Sequence, residues 1–219
     1  MKNRRLVEGN ITSTLVKLAM PIMATSFVQM AYNMMDMIWL GRVSTDAVAA
    51  AGTAGFFTWL GSALFMISKI GAEVGVAQSY GREDVEAAKK YALNTIQLDI
   101  IIALLYSLIL IVFRHKIIDF FNLRDPKVIQ MAIDYLVIVA IGMVFYFLNP
   151  VFSGIYNGSG NSTTPFKINV VGLVVNMVLD PLMILGIGPF PVMGVKGAAL
   201  ATIIAQFIVT IIFVWVSRK

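Results

Sequence analysis

Apolar runs long enough to cross a bilayer recur six times along these 219 residues, and they leave such a chain few ways to fold. A helix needs about 20 apolar residues to span roughly 30 Å of hydrocarbon. The runs lie near 15–40, 48–67, 94–113, 128–147, 168–185 and 198–216. Backbone polar groups in lipid must be satisfied within the protein, so runs of this length read as helices. The expected fold is all-α: a polytopic membrane protein whose six transmembrane helices form one lobe over residues 1–219. Composition agrees. The chain is 58% hydrophobic and 13% charged, where a soluble domain has about 45–50% apolar and about 25% charged residues.

The net charge of +5 carries no nucleic-acid footprint, because no Lys/Arg-rich run is interleaved with aromatics. Basic residues gather at the cytoplasmic ends of membrane helices for topological reasons. The expected partner is the lipid bilayer, with no nucleic acid. There is no cysteine, which excludes disulfides, thiolate metal sites and cysteine nucleophiles. The basic N-terminus (Lys2, Arg4, Arg5) is not followed by a short apolar core and a small-residue cleavage site. It does not read as a cleaved signal peptide, and the first span serves as its own insertion signal.

Six spans place both termini on one side. With the N-terminus inside, ten Lys/Arg face the cytoplasm: Lys2, Arg4, Arg5, Lys69, Arg82, Lys89, Lys90, Lys167, Arg218 and Lys219. Six face outward: Arg42, Arg114, Lys116, Arg124, Lys127 and Lys196. The excess favours cytoplasmic termini in the inner (cell) membrane. The connection between spans three and four, with four of the six outer residues, runs against the trend.

Pro21 lies inside the first span, where it removes one helical hydrogen bond and predicts a kink or hinge. Asn10 and Thr12 read as N-cap candidates ahead of that span. The polar stretch from Gly71 to Asp84, continued by Glu86, Lys89 and Lys90, predicts an amphipathic connection at the inner surface. A second polar connection runs from Asn157 to Pro165, its Gly and Pro content marking a turn. The sequon at Asn161 falls on the cytoplasmic face, where it has no glycosylation role.

Two carboxylates stand inside the most apolar stretches, Asp36 in span one and Asp180 in span five. A carboxylate at bilayer depth is expensive, faces a bundle interior or a wet cavity, and marks an ion or substrate path. Asp36 is six residues from Arg42, Asp180 six from Gly186, and Thr202 of span six is six from Lys196. At 1.5 Å per residue all three lie roughly 9 Å below the outer ends of their helices. Each helix also carries a polar stripe: Gln29, Tyr32, Asn33 and Asp36; Asn169, Asn176 and Asp180; Thr202 and Gln206. Residues three and four apart share a face, so these stripes face protein or a cavity. For Gln29 or Asn169 alone, interhelical hydrogen bonding is the better reading. For the aspartates, function is. No buried Lys or Arg is an obvious partner, since Lys17 and Lys69 lie near inner ends and snorkel. The aspartates must then bind a proton or a metal cation. Closely spaced carboxylates in low dielectric favour proton uptake, whereas carboxylates ringed by Asn, Thr and backbone oxygens suit a hard cation. Asp36, Asn176, Asp180 and Thr202 offer either chemistry, and Gln29, Tyr32, Asn33 and Gln206 are candidates to line the cavity.

Asp99, one to two turns into span three, is a secondary candidate. Asp134 reads as interfacial and His115 as a surface histidine between Arg114 and Lys116. There is no phosphate loop, zinc spacing or catalytic triad, and Gly71…Gly75 lacks the strand context of a dinucleotide site.

These residues together resemble the N-terminal lobe of a multidrug and toxic compound extrusion (MATE) transporter of the prokaryotic type. The resemblance rests on Leu18-Ala19-Met20-Pro21-Ile22, on Asp36 with Trp39-Leu40-Gly41, and on Gly71, Gly75, Gln78 and Gly81. It continues with Gly158, Gly160 and Asn161, the run Asn176-x-x-Leu179-Asp180-Pro181-Leu182, and Gly194 to Thr202. It covers essentially the whole chain. It implies an antiporter, not an enzyme, that expels organic cations and drugs against inward Na⁺ or H⁺, with no other cofactor. It implies a cation site on Asp36, Asn176, Asp180 and Thr202, and a first helix that bends at Pro21. Twelve helices in two six-helix lobes characterise that family, so a second lobe is an expected partner. That lobe is either the C-terminal half of a longer chain, with Val216 to Lys219 as the start of a linker, or a second copy. Two other readings stand beside this one. A membrane-embedded aspartyl enzyme would also use two carboxylates, but the contexts of Asp36 and Asp180 lack a Gly-x-Gly-Asp signature. The other is a channel or structural subunit.

Overall fold

The computed structural model describes residues 11–218, all of whose regular structure is α-helical. Helix α1 (Ile11–Val43) and helix α2 (Thr45–Gly81) are separated by Ser44 alone. Ser44 is extended and its hydroxyl accepts the Ala47 N–H at 3.0 Å, so a single N-cap residue reverses the chain. Helix α3 (Val85–Val112) is capped by the Asp84 carboxylate, which accepts from the Ala87 N–H at 2.8 Å. A short helix, α4 (Arg114–Asp119), precedes α5 (Pro126–Ile141), whose N-cap Asp125 and first-turn Pro126 are the residues a helix start favours. Helix α6 (Met143–Gly158) follows after Gly142 alone; α7 (Thr163–Leu185) and α8 (Val195–Ser217) complete the chain. Of the proposed N-caps of α1, Thr12 lies inside the helix, and Asn10 lies outside the described residues, as do Lys2, Arg4, Arg5 and Lys219.

Helices α1, α2, α3, α7 and α8 are each long and apolar enough to cross a membrane; α5 and α6 reach that length and apolarity only when taken together, and they are bent by 52° at their junction. The protein is thus an all-α, multi-pass membrane protein. One end of the bundle gathers Arg42, Pro126, Gly186 and Lys196 (the Arg42 end), the other Gly81, Val85, Gly158 and Thr163 (the Gly81 end).

Three expectations need correction. Residues 71–81 are not a surface connection but the last turns of α2, a helix of 37 residues, with Ala72, Gly75, Val76 and Ser79 buried. Their small side chains face protein, which polarity along the sequence does not reveal. The reversal is confined to residues 82–84, with Glu83 at φ 58°, and Glu86, Lys89 and Lys90 open α3. Span four is broken at Gly142, where an added Cβ would run into the Ile203 side chain of α8. A glycine lets α8 approach there, and the chain turns instead of continuing straight. Finally, the Asn157–Pro165 connection shrinks to residues 159–162; Pro165 sits in the first turn of α7, where its missing N–H has no intrahelical acceptor.

Small residues set the helix spacing. On α6, Gly154 and Gly158 are one turn apart and lie against the α2 backbone at Lys69 and Glu73. This small-xxx-small stripe permits the close approach on which packing in lipid depends. Leu40, Ala47, Ala50, Ala51, Ala54, Leu110, Leu136, Met143 and Phe147 form the larger buried cluster. Leu148, Phe152, Tyr156, Val209 and Phe213 form a second cluster toward the Gly81 end.

Candidate ion-binding site

Asp36 and Leu40 are the buried residues of α1; from Thr12 to Met35 the helix is exposed or half-exposed along its length. The turn from Asp36 to Leu40 is thus the most buried part of α1, and it carries a carboxylate. On α7, Asn176 and Asp180 are one turn apart and both fully enclosed. Thr202 of α8 is 8% exposed and Asp36 6%.

These four side chains touch. The Asn176 Nδ2 group donates to Asp36 Oδ1 at 3.2 Å and to Asp180 Oδ1 at 3.0 Å. The Thr202 hydroxyl donates to Asp36 Oδ2 at 3.0 Å. Both carboxyl groups are thus within reach of a single nitrogen atom, although they come from helices 140 or more residues apart. Pro181, next to Asp180, leaves the Met177 carbonyl without its helical donor, which loosens α7 at the site.

Two acceptors remain without a hydrogen-bond partner, Asn176 Oδ1 and Asp180 Oδ2, although both are buried. No ion pair to Asp36 or Asp180 forms among the described residues. Unpaired acceptors beside two carboxylates are what a proton or a hard monovalent cation would satisfy. No cluster of three His, Cys, Asp or Glu occurs among the described residues, so the donor set is two carboxylates, an amide and a hydroxyl. That is an oxygen site without the imidazole or thiolate of a transition-metal centre.

The remaining candidates divide. Tyr32 stands one turn before Asp36 and its hydroxyl donates to the Thr202 carbonyl at a long 3.5 Å. Gln29 and Asn33 are exposed, and the Asn33 amide turns back to the Gln29 carbonyl at 3.1 Å. Asn33, with Met30, Met34, Met37 and Ile38, lines an open groove on α1. Gln206 belongs to a different network one turn beyond Thr202. Its side-chain oxygen accepts from Asn149 Nδ2 at 2.7 Å, and Thr210 donates to Asn149 Oδ1 at 2.8 Å. Pro21 lies inside an unbroken α1, and its carbonyl accepts from the Thr25 hydroxyl at 2.9 Å. Asn169 bonds the Pro165 carbonyl on its own helix at 2.7 Å. Asp134 is paired with Lys196 at 3.1 Å near the Arg42 end, and His115 lines an open surface cleft beside them.

Sequence reasoning missed Tyr135 of α5 and Tyr146 of α6, which lie within electrostatic reach of Asp36. It also missed Asn149 and Thr210. A tyrosine in an apolar run carries no signal separating a site wall from ordinary core, and the break at Gly142 between the helices that carry them was not visible.

A family model described as MatE matches residues 21–182. A relative named "Probable multidrug resistance protein NorM" from Thermotoga maritima is 30% identical over 198 residues, 90% of this chain and 42% of that protein. Two solved structures match at 26% identity and a TM-score of 0.89, one described as MATE in the bent conformation and one in the straight conformation. They cover 98% and 100% of this chain, which in turn spans 47% and 48% of theirs. The chain spans about half the length of the relatives it matches.

Proposed function

Because the chain belongs to the MATE family, we propose that it forms one lobe of a cation-coupled antiporter that expels organic cations, with the coupling ion held by Asp36, Asn176, Asp180 and Thr202. The observation that carries this reading is the shared Asn176 donor. It joins two membrane carboxylates on separate helices and leaves Asp180 Oδ2 and Asn176 Oδ1 unpartnered. Two such carboxylates facing one another in low dielectric repel when both are ionised. A proton shared between them, or Na⁺ between their oxygens, removes that repulsion and draws α1 onto α7 and α8. Loss of the ion releases α1. Differential ion affinity for the two positions of α1 is the coupling free energy.

The substrate path lies between this lobe and a second one, supplied by the rest of a longer chain or by another copy, with the site in the half of the bilayer nearer the Arg42 end. That end faces outward in this reading, so the ion enters from outside as the substrate leaves. The exposure of α1 and the Pro21 inside it support this helix as the moving part.

Asp180→Asn in the complete transporter, reconstituted in vesicles, tests this. The amide keeps size and hydrogen bonding but takes neither a proton nor a compensating charge. Efflux driven by a proton or Na⁺ gradient should fall to background while insertion and folding persist. Wild-type gradient-driven efflux by this variant would falsify the assignment. Wild-type efflux under each gradient separately identifies the ion.

A further inference from the structure

A third buried carboxylate stands apart from that site. Asp99 lies near the middle of α3, fully enclosed, and neither of its oxygens has a hydrogen-bond partner among the described residues. Asp99 is 14 residues after Val85 and Ser68 is 13 before Gly81, so both sit roughly 20 Å from the turn that joins α3 to α2. Ser68 is itself 1% exposed, and its hydroxyl is the polar side chain that bears on the carboxyl. Asp36 and Asp180 do not act on it.

Elements α2, α4, α5 and α6 pack on α3. In the stretch of α2 beside Asp99 the charged residues are Lys69 and Glu73, which act on one another. Arg114, His115, Lys116 and Asp119 of α4 lie at the far end of α3, and α6 carries tyrosines but no charge. Helix α5 brings Lys127, Asp134 and Tyr135, with Asp134 bonded to Lys196. On α3 itself Glu86, Lys89, Lys90 and Tyr91 lie toward the Gly81 end, and Tyr106 bonds the Phe57 carbonyl. None of these charges supplies Asp99 with a counter-ion. A single carboxylate and one hydroxyl are too few oxygens to replace the shell of a metal cation. The ligand chemistry that remains is a proton.

We propose that Asp99, with Ser68, is a second proton-binding site of this protein, separate from the Asp36–Asp180 pair. The closed state is the carboxylic acid; release transfers its proton to water and leaves a carboxylate facing the Ser68 hydroxyl. The carboxyl is fully enclosed, so water reaches it only when the helix packing around α3 opens. Proton exchange at Asp99 therefore accompanies opening of that packing, whereas exchange at Asp36 accompanies movement of α1.

The test is infrared spectroscopy of the purified chain in lipid, carried out with Asp36→Asn and Asp180→Asn so that the outcome does not depend on the site proposed above. A protonated-carboxyl stretching band should be present at about pH 5 and decline reversibly toward about pH 10. It should be absent in Asp99→Asn and should change frequency in Ser68→Ala, which removes the polar side chain that bears on the carboxyl. The Ser68→Ala shift assigns the band even where Asp99→Asn fails to fold. A band from Asp99 that stays constant across that range makes it a permanently neutral structural acid and overturns the proposal. So does a carboxyl already ionised at about pH 5.

Discussion

At the residue scale, Asp36 is the hub of the site because it alone bonds to both neighbouring helices. Its Oδ1 accepts from Asn176 and its Oδ2 from Thr202. Thr202 contributes a single hydroxyl that orients the carboxylate and, in the proposed site, offers an oxygen to a cation. Hydrogen bonds of this kind within membranes are worth roughly 0.6–1.7 kcal/mol. Thr202→Val keeps the shape and removes the hydroxyl. The affinity for the coupling ion, measured by calorimetry on the folded protein, should fall about tenfold, as about 1.4 kcal/mol implies. Thr202→Ser should restore most of it. An unchanged affinity in the valine variant would remove Thr202 from the ion site. Asp36 and Asp180 were legible in the sequence because their cost in lipid is independent of fold. Asn176 and Thr202 were legible through helical spacing and depth, which need only the 1.5 Å rise. Tyr135 and Tyr146 were not, since their place at the site follows from a break that hydropathy does not record.

At the element scale, α1 differs from its neighbours. Most of its surface is unburied, with Met20, Met23, Phe27, Met30 and Met34 among the exposed apolar residues, and its buried anchor is the turn from Asp36 to Leu40. In the proposed coupling, this helix shifts position when the Asp36 carboxylate gains or loses an ion. Spin labels on Val43→Cys and Ile187→Cys, at the ends of α1 and α7, report this movement. The distance distribution should differ between low and high pH, or with and without Na⁺. Identical distributions in all four conditions, in a sample that binds the ion, would leave Pro21 as a static feature of an immobile helix. By contrast, α2 and α6 meet through Gly154 and Gly158 at backbone distance. Apolar periodicity located both helices only approximately. The extension of α2 to Gly81 depends on what packs against its polar last turns, and pattern along one chain carries no record of the opposing surface.

At the scale of the whole molecule, the long helices alternate in direction so that Ser44, residues 113–125 and residues 186–194 share the Arg42 end. With no native cysteine, single introduced thiols report sidedness directly. A thiol at Val192, which is 74% exposed, should react with a membrane-impermeant maleimide on intact cells. One at Gly81, where an added Cβ meets open space, should react only after permeabilisation. The reverse pattern would invert the orientation that the distribution of Lys and Arg predicts. Fold class and the presence of two carboxylates within apolar helices were set by the sequence alone, because bilayer thickness and the cost of burying charge act on each helix separately. Only the tertiary structure decided that one Asn176 amide serves both carboxylates, that span four breaks at Gly142, and that Gln29 and Asn33 turn away from Asp36. Those outcomes depend on which row of one helix meets which row of another, and that is settled by the close approach of small residues on partners far apart in the chain.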